Sequence, residues 1–173
     1  MSAEGWDGIL EADEKIVWQG QPDGAFRLRG KNIAISVFGL FFLGFSLFWT
    51  LMAGVGSGQF MPSFVGLLFV FVGLFLVVGI HWLDAAARRK THYTLTTRHA
   101  FIATDFLGKR LKSYPIDGDT VLDFRPGTPG SLFFAKELRR GKNGTYRIPV
   151  GFELIPDAEG VYRKFRDVQA GLA

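Results

Sequence analysis

The chain has 173 residues, with 20 basic and 16 acidic side chains and no cysteine. That length allows one domain with an anchor, or two very small domains. The absence of cysteine excludes disulfides, thiolate nucleophiles and cysteine-ligated zinc or iron–sulfur centres.

The first 31 residues form an acidic segment with six acids and four bases. A signal peptide would begin with basic residues and end at a small-residue cleavage pattern, and this segment has neither. We therefore expect residues 1–31 to remain on the protein as an N-terminal segment.

The next stretch, from Asn32 to Leu83, contains no Asp, Glu, Lys or Arg. A charge in the middle of a bilayer costs about 2.5–3.5 kcal/mol, so this segregation indicates a membrane segment. Residues 33–53 and 64–83 each approach the roughly 20 residues that cross a bilayer. The residues between them are rich in Gly, Ser and Pro and favour a turn. The pattern predicts a transmembrane hairpin over residues 32–83, in preference to one long buried helix of a soluble protein.

Basic residues flank this hairpin at both outer ends, and its loop has none. They are Arg27, Arg29 and Lys31 before the hairpin, and Arg88, Arg89 and Lys90 after it. The positive-inside rule therefore predicts a multi-pass membrane protein with both termini in the cytoplasm and the loop on the other side.

Residues 84–173 carry sixteen bases and ten acids, and they read as short strands followed by a helix. Runs of β-branched and aromatic residues predict strands at 91–97, 100–104, 110–116, 121–125, 131–138 and 145–154. Asn143-Gly144 predicts a tight hairpin turn, and Pro149 indicates an edge or a bulge. In the last strand, Tyr146, Ile148, Val150, Phe152 and Leu154 are expected on one apolar face.

The last segment predicts an amphipathic helix with Asp157 as its N-cap. Its apolar stripe consists of Val161, Phe165, Val168 and Leu172. We expect Phe152 and Phe165 to meet in the core between this helix and the sheet. The predicted fold is a membrane α+β protein, a two-helix hairpin with a small antiparallel β-sandwich or barrel that the C-terminal helix caps.

Four short motifs follow one another along the chain. Glu14–Pro22 reads E-x-I-x-W-x-G-x-P, Tyr93–Arg98 reads Y-x-L-T-x-R, Ser113–Ile116 reads S-x-P-I, and Gly130–Phe134 is close to G-x-I-x-F. In this order around a helical hairpin, they resemble small bacterial integral membrane proteins with a pleckstrin-homology-like domain. The chain is also distantly similar to photosynthetic-complex assembly proteins of purple bacteria. The resemblance implies a cytoplasmic pleckstrin-homology-like fold for residues 84–173 and no catalytic residue. It also implies that the membrane is a bacterial inner membrane.

The histidines give little support to a metal or cofactor site. His92 and His99 fall on neighbouring predicted strands, but a metal site needs three or four convergent ligands. His81 lies one turn inside the second span, and we favour an interfacial histidine that bonds headgroups or water over a buried heme or proton-relay site. We expect no cofactor, no metal and no catalytic residue.

Two basic loops are candidate sites for the phosphates of anionic lipids. One contains Arg139, Arg140 and Lys142, and the other contains Lys109 and Arg110. A solvated charged loop explains these residues equally well. Nucleic-acid binding is not expected, because these bases are not interleaved with exposed aromatic residues.

A partner surface is the second candidate site. Trp18 lies in the first motif, and Gly39, Gly44, Gly66 and Gly73 permit close helix contacts. The glycines serve either the contact between the two spans or an outward face for a membrane partner.

Three functions remain open. We favour a non-enzymatic membrane-anchored scaffold, accessory subunit or assembly factor that contacts another membrane protein or forms a homo-oligomer. The alternative is a module that senses anionic lipid through its basic loops. An enzyme is least favoured, because the sequence has no paired carboxylates, no Ser–His motif and no complete phosphate-binding loop.

Overall fold

The computed structural model describes residues 6, 8–11, 13–28, 30–57, 60–141 and 144–171. The described residues form two compact units. One unit is Gly24–Ala86, and the other combines Met1–Asp23 with Ala87–Ala173.

Two apolar helices account for the first unit. Helix α1 spans Gly30–Ser57. The second helix runs through α2 (Phe60–Leu74), a π-helical turn (Phe75–Gly79) and α3 (Ile80–Arg89).

Both helices are long and apolar enough to cross a membrane, over Asn32–Ala53 and Phe64–Arg89. Only 11% and 17% of their most apolar windows are buried, whereas a core helix of a soluble protein would be mostly buried. The sequence-predicted spans, 33–53 and 64–83, lie within these helices.

Glycines bring the two helices together. A Cβ atom added to Gly73 would lie 2.8 Å from the Cα of Leu43, and one added to Gly39 would lie 2.7 Å from the Cβ of Leu76. A Cβ on Gly66 would overlap Thr50 in the same way. Because side chains at these positions would separate the backbones, close packing of the hairpin depends on glycine.

The second unit contains two antiparallel sheets. Sheet A has the order β1-β2-β3-β4, with β1 at Ile16–Gly20, β2 at Thr91–Thr96, β3 at His99–Asp105 and β4 at Lys109–Pro115. Sheet B has the order β5-β6-β7, with β5 at Asp123–Arg125, β6 at Gly130–Gly141 and β7 at Gly144–Ile155. The six strands predicted after residue 90 are thereby confirmed.

A C-terminal helix, α4, spans Ala158–Gln169. The Asp157 side chain caps it by accepting a hydrogen bond from the Gly160 N–H at 2.9 Å, as predicted. Val161, Phe165 and Val168 are buried, and Leu172 lies outside the described residues.

The core forms between the two sheets and α4. Phe152 and Phe165 are fully buried, as predicted, and Phe134 contacts both rings at centroid distances of 5.0 and 5.3 Å. The same cluster also contains Leu95 of sheet A. A buried aromatic ring contributes strongly to the stability of a small domain, because truncating a core Phe to Ala lowers the free energy of unfolding by about 3–5 kcal/mol.

The N-terminal segment belongs to this β unit. Residues 1–31 were predicted to form a segment separate from a domain at 84–173. In the structure, β1 pairs with β2, and Gln19 lies opposite Thr94. The partners are some 75 residues apart, with the apolar helices between them. Local sequence patterns do not reveal a pairing over that distance.

The alternation predicted for the last strand is only partly correct. Phe152 is buried, but Tyr146 is 53% exposed near the hairpin turn. Leu154 adopts a φ of 54°, and the core position passes to Ile155, which is fully buried. Pro149 does lie on an edge strand, because β7 is the outer strand in the sheet order β5-β6-β7.

Candidate functional site

The hairpins β3–β4 and β6–β7 meet between the two sheets. The Lys112 Nζ of β4 donates to both carboxylate oxygens of Glu137 on β6, at 2.6 and 2.8 Å. The Tyr114 hydroxyl donates to the same carboxylate at 2.5 Å. These bonds hold β4 against β6.

The paired groups have shifted ionisation. The bonds from Lys112 and Tyr114 hold the pKa of the Glu137 carboxyl below its usual value. Burial, and then the bond to Glu137, raise the pKa of the Tyr114 phenol well above its usual value. Glu137 is therefore ionised at neutral pH and neutralises Lys112.

A cavity of about 350 Å³ opens beside this pair, and Arg110 and Arg139 both line it. Neither guanidinium makes an ion pair with another residue in the part of the chain that the structure describes. The carboxylate of Glu153 also lines the cavity. Two arginines against one carboxylate leave an excess of positive charge there, since Lys112 and Glu137 cancel.

The β6–β7 hairpin extends past this cavity and carries more basic residues. Leu138 pairs with Arg147, Arg139 with Tyr146, and Arg140 with Thr145. Gly144 has a φ of 120° at the turn, a conformation that glycine adopts without strain. Leu138 is 68% exposed, so this hairpin presents apolar side chains among its arginines.

The β3–β4 turn has the same character. Leu107 is 86% exposed in the turn, and Lys109 and Arg110 follow it in β4. Since Arg110 and Arg139 share one cavity, the two turns lie at the same end of the β unit. We call this region the basic end; it comprises Leu107, Lys109, Arg110, Leu138, Arg139, Arg140, Tyr146 and Arg147.

The structure brings together part of the predicted lipid site. Arg110 and Arg139 converge on the cavity, whereas Lys109 and Arg140 lie beside it and do not line it. Lys142 and Asn143 are outside the described residues. Arg147 was not predicted as a site residue. Its alternation with Tyr146 and Ile148 indicated only that it lies on the polar face of the strand. The exposed Leu107 was not predicted either, although an apolar residue next to glycine in a turn is visible in the sequence.

Trp18 packs inside the β unit. Its indole ring lies 5.5 Å from the Phe152 ring and covers the α-carbon of Gly20. The N-terminal motif therefore supplies contacts to the core, and the Trp18 side chain is partly buried.

The glycines of the hairpin divide into two groups. Gly39, Gly66 and Gly73 are buried at the contact between the two spans. Gly44 is exposed, and a Cβ added there would meet no atom within 4 Å.

His81 is buried, whereas the predicted role, hydrogen bonding to headgroups or water, requires an exposed side chain. It is fully buried in the helical unit, with its Nε2 2.8 Å from the Ser36 hydroxyl and its ring 5.8 Å from the Phe26 ring. The π-helical turn immediately precedes α3, in which His81 is the second residue. Its Nδ1 has no hydrogen-bond partner among the described residues.

The other histidines have structural partners. His92 Nε2 bonds Gln21, and His99 Nδ1 lies 2.9 Å from a Glu14 carboxylate oxygen. Within the described ranges, no group of three or more His, Cys, Asp or Glu residues is placed to hold a metal ion.

No protein-family model, no curated protein and no solved structure matches this chain. The candidate site therefore rests on the residues and the geometry of the chain itself.

Proposed function

We propose that this protein is a non-enzymatic membrane protein whose β unit recognises anionic lipid headgroups through its basic end. The observation that carries the proposal is the convergence of Arg110 and Arg139, from two separate hairpins, on one cavity. Arginine is suited to phosphate, because its planar guanidinium donates two parallel hydrogen bonds.

The charge of the basic end favours an anionic surface. Basic residues near such a leaflet contribute about 1 kcal/mol each. Lys109, Arg140 and Arg147 add to the two arginines of the cavity, and the sequence has no acid between Glu137 and Glu153. Asp105 lies opposite Lys109 in the β3–β4 register, and its charge offsets part of this positive charge.

The apolar residues of the basic end favour a bilayer over a soluble phosphate compound. Leu107 and Leu138 are more than two-thirds exposed, and Tyr146 is about half exposed. Leucine and tyrosine at the tips of basic hairpins partition into the interfacial region of a membrane. A soluble phosphate compound would gain nothing from these contacts.

The proposed setting is a bacterial inner membrane that the two apolar helices cross as a hairpin, with both termini in the cytoplasm. The pairing of β1 with β2 supports termini on one side, because these strands flank the hairpin in sequence. The basic flanks favour the cytoplasmic side. We further propose that the β unit is pleckstrin-homology-like, which two antiparallel sheets and a C-terminal helix support.

The test places the full chain in nanodiscs of phosphatidylcholine, with or without an equimolar amount of phosphatidylglycerol. Hydrogen exchange is then measured over residues 105–111 and 138–147. We expect phosphatidylglycerol to slow exchange in both segments, and high salt to remove the effect because it screens the attraction.

Two charge reversals separate a specific site from bulk charge. The double variant Arg139→Glu/Arg140→Glu should lose the protection that phosphatidylglycerol gives. The matched control is Arg163→Glu/Lys164→Glu, which makes the same charge change on the exposed face of α4. Equal loss in both variants, or protection that is independent of phosphatidylglycerol, would contradict the proposal.

A scaffold that contacts a second membrane protein, or a second copy of this chain, is the other candidate function. Gly44 favours it, because this glycine faces open space on α1 while the other three pack inside the hairpin. If a helix of the partner packs there, Gly44→Leu should remove a co-purifying protein or dissociate a homo-oligomer in mild detergent. Unchanged composition and size would contradict this candidate.

A further inference from the structure

A second cavity of about 440 Å³ lies on the face of sheet A that points away from the core. Its floor is a row of three paired residues, His92 of β2, Ala103 of β3 and Leu111 of β4. Trp6 and Ile9 of the N-terminal segment form its wall. Because Ala103 is small and central, the row is lowest in its middle. We call this cavity the outer groove.

The surface of the outer groove is mainly apolar. Trp6 packs edge-on against Phe101 at 5.2 Å and is nearly buried, which fixes the wall. Ile9 and Leu111 are 42% and 44% exposed, so apolar side chains remain open to a ligand. The Trp6 indole N–H is buried without a hydrogen-bond partner among the described residues, which is costly unless a bound oxygen satisfies it.

The charges beside the outer groove are unequal. Lys90, Lys109 and Arg110 line it, and Asp105 supplies the one carboxylate among the described residues that line it. None of the three cations makes an ion pair with a residue that the structure describes. The groove thus combines an apolar floor with an excess of positive charge, the complement of an anionic amphiphile.

We propose that the outer groove binds a long-chain fatty acid, with its acyl chain along Ala103 and Leu111 and its carboxylate at Lys90 and Lys109. The volume lies within the roughly 300–1,000 Å³ typical of small-molecule sites. A purely polar ligand would leave the apolar floor and wall unused, and an uncharged hydrocarbon would leave the lysines unused. This site shares Arg110 with the cavity of Arg139 but lies on the opposite face of sheet A. It takes one lipid molecule, whereas the basic end meets a bilayer surface.

The experiment uses the full chain in phosphatidylcholine nanodiscs with palmitic acid that carries a diazirine in its tail. After irradiation, mass spectrometry locates the labelled peptides. We expect label in the peptides of Trp6, Ile9, Ala103 and Leu111, and loss of that label when excess unmodified palmitate competes. Label in α1 and α2, from probe dissolved in the bilayer, should resist competition and serves as the internal reference.

Two variants test the apolar floor. Ala103→Leu fills the centre of the outer groove and should abolish its label without changing the label in α1 and α2. Ser113→Leu is the matched control, because Ser113 is an exposed residue on the same face of β4 that does not line the groove. Absence of groove label in the unmodified chain, or equal label in Ala103→Leu, would overturn the proposal.

The carboxylate site is tested separately. The methyl ester of the probe, and the free acid on Lys90→Gln/Lys109→Gln, should each give much weaker groove label. Equal label by acid and ester would overturn the assignment to an anionic ligand. Arg139→Glu/Arg140→Glu should leave groove label unchanged, so failure of the basic-end proposal and failure of this one are distinguishable.

Discussion

Glu14 is the residue that attaches the N-terminal segment to sheet A. Its buried carboxylate accepts hydrogen bonds from the Thr96 hydroxyl and the Glu11 N–H, and it lies 2.9 Å from His99 Nδ1. Burial alone would raise the pKa of Glu14, but the bonds from Thr96, Glu11 and His99 outweigh it and lower the pKa below the ordinary 4.5. The first position of the N-terminal motif is thereby explained as a structural anchor.

This anchor predicts acid sensitivity of the β unit. A carboxyl whose folded pKa lies below its unfolded value stabilises the fold above the unfolded value, here 4.5. That stabilisation disappears as the pH falls below 4.5 through the folded pKa. Glu14→Gln should lower the free energy of unfolding by about 1–3 kcal/mol at neutral pH, because it leaves buried donors poorly paired. It should also make the stability of the β unit depend less on pH in the acid range. Hydrogen exchange of β1 and β2 amides in the full chain measures both effects.

Glu11→Gln is the control for Glu14. The Glu11 carboxylate pairs with Arg98 on the surface, where such pairs contribute little, and its backbone N–H remains available to Glu14. If Glu11→Gln and Glu14→Gln change stability equally, or if Glu14→Gln keeps the acid dependence, Glu14 does not have this role.

For single residues, the sequence indicates the chemical character of a site better than it indicates which side chains contact each other there. The basic loops that contain Arg110 and Arg139 are visible in the sequence, but the cavity that these two arginines share depends on how β4 meets β6. Trp18 was visible as part of a motif, yet its contact with Phe152 spans most of the chain. Side chains whose partners are distant in sequence acquire their role only from the fold.

Strand β1 is the element that local patterns missed. The strands after residue 90 were predicted because each has its own run of β-branched or aromatic residues. β1 has only the five residues Ile16–Gly20, and it becomes an edge strand through the distant β2. The two membrane-length helices were predicted because hydropathy and charge are local properties.

The place of β1 predicts which fragment folds. A chain of residues 1–23 joined to 87–173 by a flexible Gly/Ser linker should unfold cooperatively, because it contains every strand of both sheets. Residues 87–173 alone should be much less stable, since they lack Trp18, Glu14 and the cover of β2. Urea unfolding of the two fragments measures the difference. Equal stability would show that β1 is dispensable.

The helical hairpin predicts a contrast between two of its glycines. Gly73→Val should lower the unfolding temperature in detergent, because its side chain would meet the backbone of Leu43 and overpacking costs about 1–3 kcal/mol. Gly44→Val introduces the same side chain at an open position and should change the unfolding temperature little. Circular dichroism of the two variants gives the comparison. Similar shifts would indicate that the packing does not depend on Gly73.

For the whole molecule, the prediction concerns membrane topology. A reporter that is active only in the periplasm should be active when fused at Gly58, which lies outside the described residues, and inactive when fused at the C-terminus. The reason is the basic flanks on both outer ends of the hairpin. Activity at the C-terminus without activity at Gly58 would show the opposite orientation. Reporter activity on one side of residues 32–83 in sequence but not on the other would indicate a single crossing.

The pairing of β1 with β2 also bears on biosynthesis. A chain in which only one helix inserted would carry these strands on opposite sides of the bilayer, where they cannot pair. β2 would then expose an unpaired edge, and the core would lack Trp18. Proteases remove such incompletely folded chains. Under the proposed topology, completion of sheet A would therefore select against chains in which only one of the two helices has entered the membrane.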